Sequence, residues 1–281
     1  MKIVIIIPAY NEEQTIAATI EDFYHAAPSS EIIVVDNNSK DVTFDIATTT
    51  LQKLRSAGRV IIERQQGKSN AVRRAFMDVD ADIYIMVDAD CTYSAADLKK
   101  LLEPVLSGSA DMVVGDRHAT GDYAKENRRR FHNFGNELVC QLINRAFGSR
   151  LNDILSGYRV FSGRFVKNFP ILSAGFELET ELTLHALDKR FRILEIPISY
   201  RDRPVGSESK LNTFRDGFRV VRTIFSILRF NRPFLFFGAT ALLFGFAGVL
   251  VGSTPVIEFY ETKRILHLPS AILATGLMSA V

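Results

Sequence analysis

Residues 3–13 read IVIIIPAYNEE, an apolar run that stops at a proline and opens into a polar, acidic turn. Two later stretches repeat the plan, EIIVVDNNS at 31–39 and IYIMVDAD at 83–90. Short apolar runs bounded by turn residues predict strands. Strands over 3–7, 32–35 and 83–87 would bring Tyr10 and Glu12, Asp36, and Asp88 with Asp90 to one edge of a parallel sheet, where open α/β folds bind ligands. An acidic edge suits a nucleotide whose diphosphate arrives with a divalent cation, because carboxylates alone repel phosphates and a hard cation bridges them.

Helix patterns alternate with these strands, which predicts βαβ units and a mostly parallel sheet flanked by helices. Ile16, Ile20 and Phe23 share one face of a helix over 15–27, with Pro28 beyond its end. A helix over 42–56 closed by Gly58, a short strand over 60–62 and a helix over 69–79 follow. Next come a helix over 95–106, a strand over 112–114, and a polar stretch at 118–127 whose length suggests a lid. A helix over 128–147, a strand over 158–161, a helix over 177–189 and strands over 191–196 and 198–200 complete the pattern.

In the 281-residue chain, net charge +2, residues 234–252 carry no charge. As a helix they just cross a hydrocarbon core of about 30 Å, and a buried core helix rarely stays apolar on every face for so long. Phe214, Phe218, Val221, Phe225 and Leu228 recur at three and four before that span, flanked by Arg215, Arg219, Arg222, Arg229 and Arg232. A basic amphipathic helix beside a span belongs in the membrane interface; the alternative is a helix packed on the sheet. The arginines suit anionic headgroups and put the amino-terminal part on the cytoplasmic side. No aromatic-rich basic patch or known motif suggests nucleic acid.

The expected division is therefore a catalytic domain at 1–210, an interfacial region at 211–232 and a membrane region at 233–281. Within the last, a mixed loop through Glu258, Glu261, Lys263 and Arg264 leads to a second apolar stretch, 269–281, too short to cross alone and read as the start of a second span cut at the chain end, with a segment lying at the interface as the alternative. Self-association through these helices stays open. Cys91 and Cys140 have neither disulfide nor metal spacing and are expected to be reduced and structural. The run at 3–7 is too short for a signal-peptide core.

Asp88 and Asp90 can both project from the sheet edge while Ala89 points back into the fold, and such oxygen ligands suit Mg²⁺ or Mn²⁺. The alternative is helix capping or a turn. Asp36 can accept hydrogen bonds from a base or ribose, or serve a local Asx turn. Tyr10 and Glu12 have a bland reading as surface packing and helix capping. Gly67-Lys68-Ser69 is no P-loop, because Ile62 stands where that motif needs glycine. It reads instead as the start of a helix whose amides face the ligand edge.

Taken together, IPAYNEE at 7–13, Asp36 to Ser39, Asp88-Ala89-Asp90, Asp153 with SGYR at 156–159, and GSESK at 206–210 resemble family 2 glycosyltransferases. The similarity is greatest to the polyprenyl-phosphate sugar synthases and covers about residues 1–232. The resemblance implies a GT-A-like Rossmann-type fold in which Pro8, Tyr10, Glu12, Val34 and Asp36 hold base and ribose. It assigns Asp88, Ala89 and Asp90 to the diphosphate and cation, with Asp88 and Asp90 as metal ligands. Arg117 falls in the acceptor region, and Arg203 with Lys210 on a loop closing over the donor. Departures are Asn37 and Asn38 at the second acidic and glycine positions, an extra residue between Arg203 and Lys210, and His132 with Asn133 where serine and arginine are usual.

The reaction so implied is inverting, metal-dependent transfer from a UDP- or GDP-linked sugar to a polyprenyl phosphate at the cytoplasmic membrane face. A phosphate monoester loses its second proton at about pH 6, so the nucleophile is already anionic, and positioning and charge compensation carry the catalysis. Arg117 and Arg128 can clamp the acceptor phosphate. Asp153 stands level between two roles: base for a hydroxyl acceptor, or orienting partner of Arg159. The rivals are transfer to a saccharide hydroxyl and a membrane-tethered nucleotide-binding scaffold. Neither sugar nor base is decided by these residues.

Overall fold

Successive side chains of a strand point to opposite faces, and in β1 (Ile3–Ala9) both faces are covered. Ile5 and Ile7 pack into one apolar cluster, Val4 and Ile6 into another. This is the arrangement in the computed structural model, which describes residues 1–119, 130–170, 178–201, 221–222, 225, 228–229, 232–264 and 267–280.

The sheet adds β2 (Glu31–Asp36), β3 (Arg59–Ile62), β4 (Ile83–Met86), β5 (Met112–Asp116), β6 (Arg159–Ser162) and β7 (Ile193–Pro197), in the order β3-β2-β1-β4-β6-β5-β7. All pairs are parallel except those of β6, which runs against both β4 and β5. One face is covered by α1 (Ile16–Ala26), α2 (Thr43–Lys53) and α4 (Leu98–Leu106), through Ile16, Ile20, Phe23, Leu51, Leu98 and Leu101. The other is covered by α3 (Lys68–Asp78), α6 (Gly163–Lys167) and α7 (Leu178–Asp188), through Val72, Ala75, Phe165, Leu178 and Leu182. Helix α5 (Arg130–Phe147) lies between β5 and β6 in the chain. Each fully buried Ile or Phe contributes about 1.5–3 kcal/mol.

The predicted α/β class and strand sequence agree with this sheet, with three differences. The antiparallel β6 is one. Another is the helix Gly163–Lys167, which begins where Ser162 Oγ accepts from Phe165 N. The third is the expected strand at 198–200, which reduces to a bridge between Tyr200 and Tyr93. The lid expected at 118–127 lies outside the described residues beyond Ala119, as does most of the amphipathic helix expected over 211–229.

The chain divides into two units, Met1–Thr223 and Ile224–Val281. In the second, α8 (Pro233–Thr262) runs for 30 residues, so the mixed loop expected after Ser253 is helical instead as far as Thr262. The polar residues there close a hairpin: Glu258 accepts from His267 N at 3.1 Å and meets its Nδ1 at 2.9 Å, at the start of α9 (Leu268–Ser279). Among the described residues α8 alone is long and apolar enough to cross a membrane. Gly248 and Gly252, one turn apart, face α9 closely: a Cβ at 248 would lie 3.0 Å from Met278, and one at 252 would lie 3.2 Å from Ala274. Small residues of this kind let helices approach within apolar surroundings, and here both serve the intrachain hairpin.

Candidate active site

Strand register brings the acidic turns together. Ala9 pairs with Asp36 and Ile6 with Met86, so the exits of β1, β2 and β4 share one edge. There β1 has β2 on one side and β4 on the other, the switch point where open α/β sheets form a crevice.

The first two exits are laced to each other. Asn11 N donates to Ser39 Oγ at 3.0 Å, Lys40 N to Asn11 Oδ1 at 2.7 Å, and Glu12 N to Thr43 Oγ1 at 2.8 Å. Asp36 is 4% exposed; its Oδ2 accepts from Ser39 N at 3.3 Å, while Oδ1 is buried with no partner. An unsatisfied buried acceptor costs about 1–3 kcal/mol, a cost that a ligand N–H or O–H would remove. Asn37, the departure at the second acidic position, donates from Nδ2 to Glu63 O and Gln65 O and accepts at Oδ1 from Gly67 N. That task needs a donor and an acceptor on one side chain, which an ionised aspartate cannot supply.

Of the other residues assigned to base and ribose, Tyr10 is partly exposed, Glu12 accepts from Thr15 Oγ1 at 3.1 Å, and Pro8 is buried. Val34 has its side chain fully buried in the core cluster with Ile7 and Ile32, where it braces the edge from beneath.

At the exit of β4, Ala89 turns into the core as expected, and Asp88 forms an ion pair with Lys68, whose Nζ also lies 2.6 Å from Glu179 Oε1. Lys68 opens α3 directly after Gly67, whose φ of 129° a side chain would oppose. Burial alone would lower the Lys68 pKa, but Asp88 and Glu179 outweigh it and hold it above the ordinary lysine value. Neither Lys68 nor Glu179 was anticipated as a site residue. The glycine before Lys68, at a helix start facing the ligand edge, was an available signal; Glu179, far away in sequence, had none.

Gly157 makes room for Asp88. A Cβ there would lie 2.5 Å from Asp88 Oδ2, and Gly157 N donates to Tyr93 Oη at 2.9 Å. Gly157→Ala is therefore expected to push the carboxylate out of place and slow turnover about 100-fold, since displacements near 1 Å cost that much. Initial rates of nucleoside diphosphate release, with melting curves to show a folded variant, check this.

Asp90 is 5% exposed, and its Oδ1 accepts from Thr92 N at 3.1 Å and Thr92 Oγ1 at 2.6 Å. Thr92 O in turn accepts from Arg201 N at 3.0 Å, and Ser199 N donates to Asp97 Oδ2 at 2.7 Å. The segment leaving β7 is thus stitched to the acidic turn.

Arg117, at the end of β5, meets Asp153 through Nε–Oδ2 at 2.7 Å and Nη2–Oδ1 at 2.8 Å, and its guanidinium lies 5.8 Å from the Tyr200 ring centre. Asp153 is fully buried; burial would raise its pKa, but the Arg117 charge and hydrogen bonds, then His118, hold it below the ordinary aspartate value. Glu195 accepts from the Asn152 and Asp153 amides, and burial pushes its own pKa up. Asp153 is hydrogen-bonded to Arg117, whereas Arg159, its partner in the other reading, feels only its charge. Arg159 is fully buried and donates to Ser156 O, Ile154 O and Thr183 Oγ1, supporting the 154–157 turn from below. Arg128, Arg203 and Lys210 lie outside the described residues, as do the side chains of His132 and Asn133.

Among the described residues no group of three or more His, Cys, Asp or Glu is placed to hold a metal ion. Asp88 and Asp90 nevertheless fit one. Their oxygens are the hard donors that Mg²⁺ and Mn²⁺ prefer, and such ions commonly take one or two carboxylates and fill their shell with substrate phosphates and water.

Residues 4–168 match the family described as glycosyl transferase family 2. The chain is 33% identical over 253 residues to Glycosyltransferase AglJ of Haloferax volcanii, covering 88% of this chain and 78% of that protein. It is 29% identical to an undecaprenyl-phosphate mannosyltransferase of Micrococcus luteus, covering 75% and 88%. Among solved structures it is similar in fold to glucosyl-3-phosphoglycerate synthase of Mycobacterium tuberculosis, crystallised with Mn²⁺, UDP and phosphoglyceric acid. That match has a TM-score of 0.64 and 21% identity, covering 80% of this chain and 78% of the other.

Proposed function

The chain belongs to glycosyl transferase family 2, and from that premise we propose that it moves a hexose from a UDP- or GDP-linked donor to a polyprenyl phosphate at the cytoplasmic membrane face. The observation that carries the donor half is the convergence, on one sheet edge, of the unpartnered Asp36 oxygen with Asp88 and Asp90. Asp36 accepts from the base or ribose. Asp88 and Asp90 hold Mg²⁺ or Mn²⁺, which when bound offsets the charge of the diphosphate. The neighbour crystallised with Mn²⁺ and UDP supports this part.

The acceptor half is supported by the Micrococcus relative and by a polyprenol monophosphomannose synthase of Mycolicibacterium smegmatis, together with the long apolar helix. In this reading residues 1–210 are the catalytic domain, 211–232 lie in the interface and 233–281 anchor the chain. Arg117, held by Asp153, offers its guanidinium to the acceptor phosphate, with Arg128 as its partner; Arg203 and Lys210 close over the donor. The phosphate oxygen displaces the nucleoside diphosphate at the anomeric carbon with inversion. Because Asp153 is committed to Arg117 and stays ionised, it serves as a positioning group and not as a base for a saccharide hydroxyl.

A panel of labelled nucleotide sugars, offered with polyprenyl phosphate or with soluble saccharides, tests the reading. Label is expected in the lipid phase and only with a divalent cation. Transfer to saccharides alone would overturn the acceptor assignment.

A further inference from the structure

We propose that Lys68 and the divalent cation compete for the Asp88 carboxylate, so that the cation enters together with the donor diphosphate and not ahead of it. The inference rests on the cation reading given above. Asp88 has little freedom to serve both partners: its Oδ1 contacts the Lys68 ammonium, and its Oδ2 lies against Gly157, where even a methyl group would collide. Lys68 and Glu179 are only 12% and 6% exposed, so water does little to weaken their contacts. A cation that takes the Asp88 oxygen held by Lys68 must therefore displace a nearly buried ammonium.

Two features make that displacement depend on the nucleotide. The first is ligand number. Among the described residues the protein offers the cation no third carboxylate, imidazole or thiolate, whereas an octahedral ion needs six oxygens. A diphosphate supplies further anionic oxygens, and water completes the shell. The second is the fate of Lys68, which, once Asp88 is given up to the cation, still has Glu179, 2.6 Å away in this structure, and gains the phosphate oxygens as further acceptors. Cation and nucleotide each remove an obstacle to the other, and such coupling is reciprocal.

Mn²⁺ titration of the whole 281-residue chain in detergent, with the free ion followed by electron paramagnetic resonance, tests the competition with and without UDP or GDP. The wild type is expected to bind Mn²⁺ roughly tenfold or more tightly with the matching nucleotide, a typical coupling. In Lys68→Met, Mn²⁺ alone should bind about tenfold more tightly than in the wild type, and the nucleotide effect should shrink by a similar factor. Where that variant unfolds, Lys68→Gln gives the same comparison. Equal tightening with and without nucleotide would indicate a general charge effect and overturn the competition, as would no tightening at all, and in both cases the cation site stands. A wild type that binds no Mn²⁺ even with either nucleotide would overturn the cation reading itself, and the competition with it.

Discussion

Asp90→Ala is expected to lower cation-dependent turnover about 10³-fold, because a bound divalent ion is worth several kcal/mol of charge stabilisation and each 1.4 kcal/mol is tenfold in rate. The variant also strands Thr92 N and Thr92 Oγ1, which donate to Asp90 Oδ1, at a cost of about 1–3 kcal/mol in stability. Asp90→Asn separates the two effects, since an amide oxygen keeps accepting from Thr92 but carries no charge. Both variants should fail to release nucleoside diphosphate in the presence of Mn²⁺, while only the alanine form melts distinctly earlier. Wild-type turnover in a folded Asp90→Asn protein would remove Asp90 from the site.

Asp153→Ala is expected to destabilise the catalytic domain by about 3–5 kcal/mol, the usual result of removing one partner of a buried ion pair. The Arg117 guanidinium would lose both hydrogen bonds, at 2.7 and 2.8 Å. The pair also sets a pH dependence. The folded-state pKa of Asp153 is depressed, so its stabilisation is complete above the ordinary aspartate value and is lost as pH falls through the folded one. Glu195 acts in the opposite sense. Its pKa is raised, so its contribution is complete below the ordinary glutamate value and fades as pH rises through the folded one. Urea melts of wild type and Asp153→Ala at neutral and acid pH should converge as the pH drops. Curves that stay parallel would show that the pair contributes nothing to the acid transition.

The sheet edge was legible in advance because parallel strands are coded locally. Five apolar residues ahead of Pro8, four ahead of Asp36 and five ahead of Asp88 each declare a strand and its exit with no knowledge of the rest. Asp36, Asp88 and Asp90 could be named for that reason. Glu179 and Gly157 could not, since their importance comes only from contact with residues 111 and 69 positions away, Lys68 and Asp88. Arg159 shows the same limit from the other side. The sequence offered it only as a group for Asp153 to orient, yet its donors are spent on two carbonyls and a threonine beneath the turn. The loop expected after Ser253 failed because Glu258 and Glu261 suggest solvent, whereas Glu258 receives His267 and the helix runs on past Pro255.

The stitching between Ser199–Arg201 and the turn after β4 gives the catalytic domain a mechanical property. From the Arg201 amide to the Asp90 carboxylate there are two hydrogen bonds in series, with Thr92 as the link. Beyond Arg201 the sequence runs on into the arginine-rich stretch that precedes the apolar helix. The exit of β7 and the turn that carries Asp90 are held to each other as well by Ser199 N on Asp97 Oδ2 and by the Tyr93–Tyr200 bridge, so the position of Asp90 is tied to the end of the sheet and not to its own turn alone.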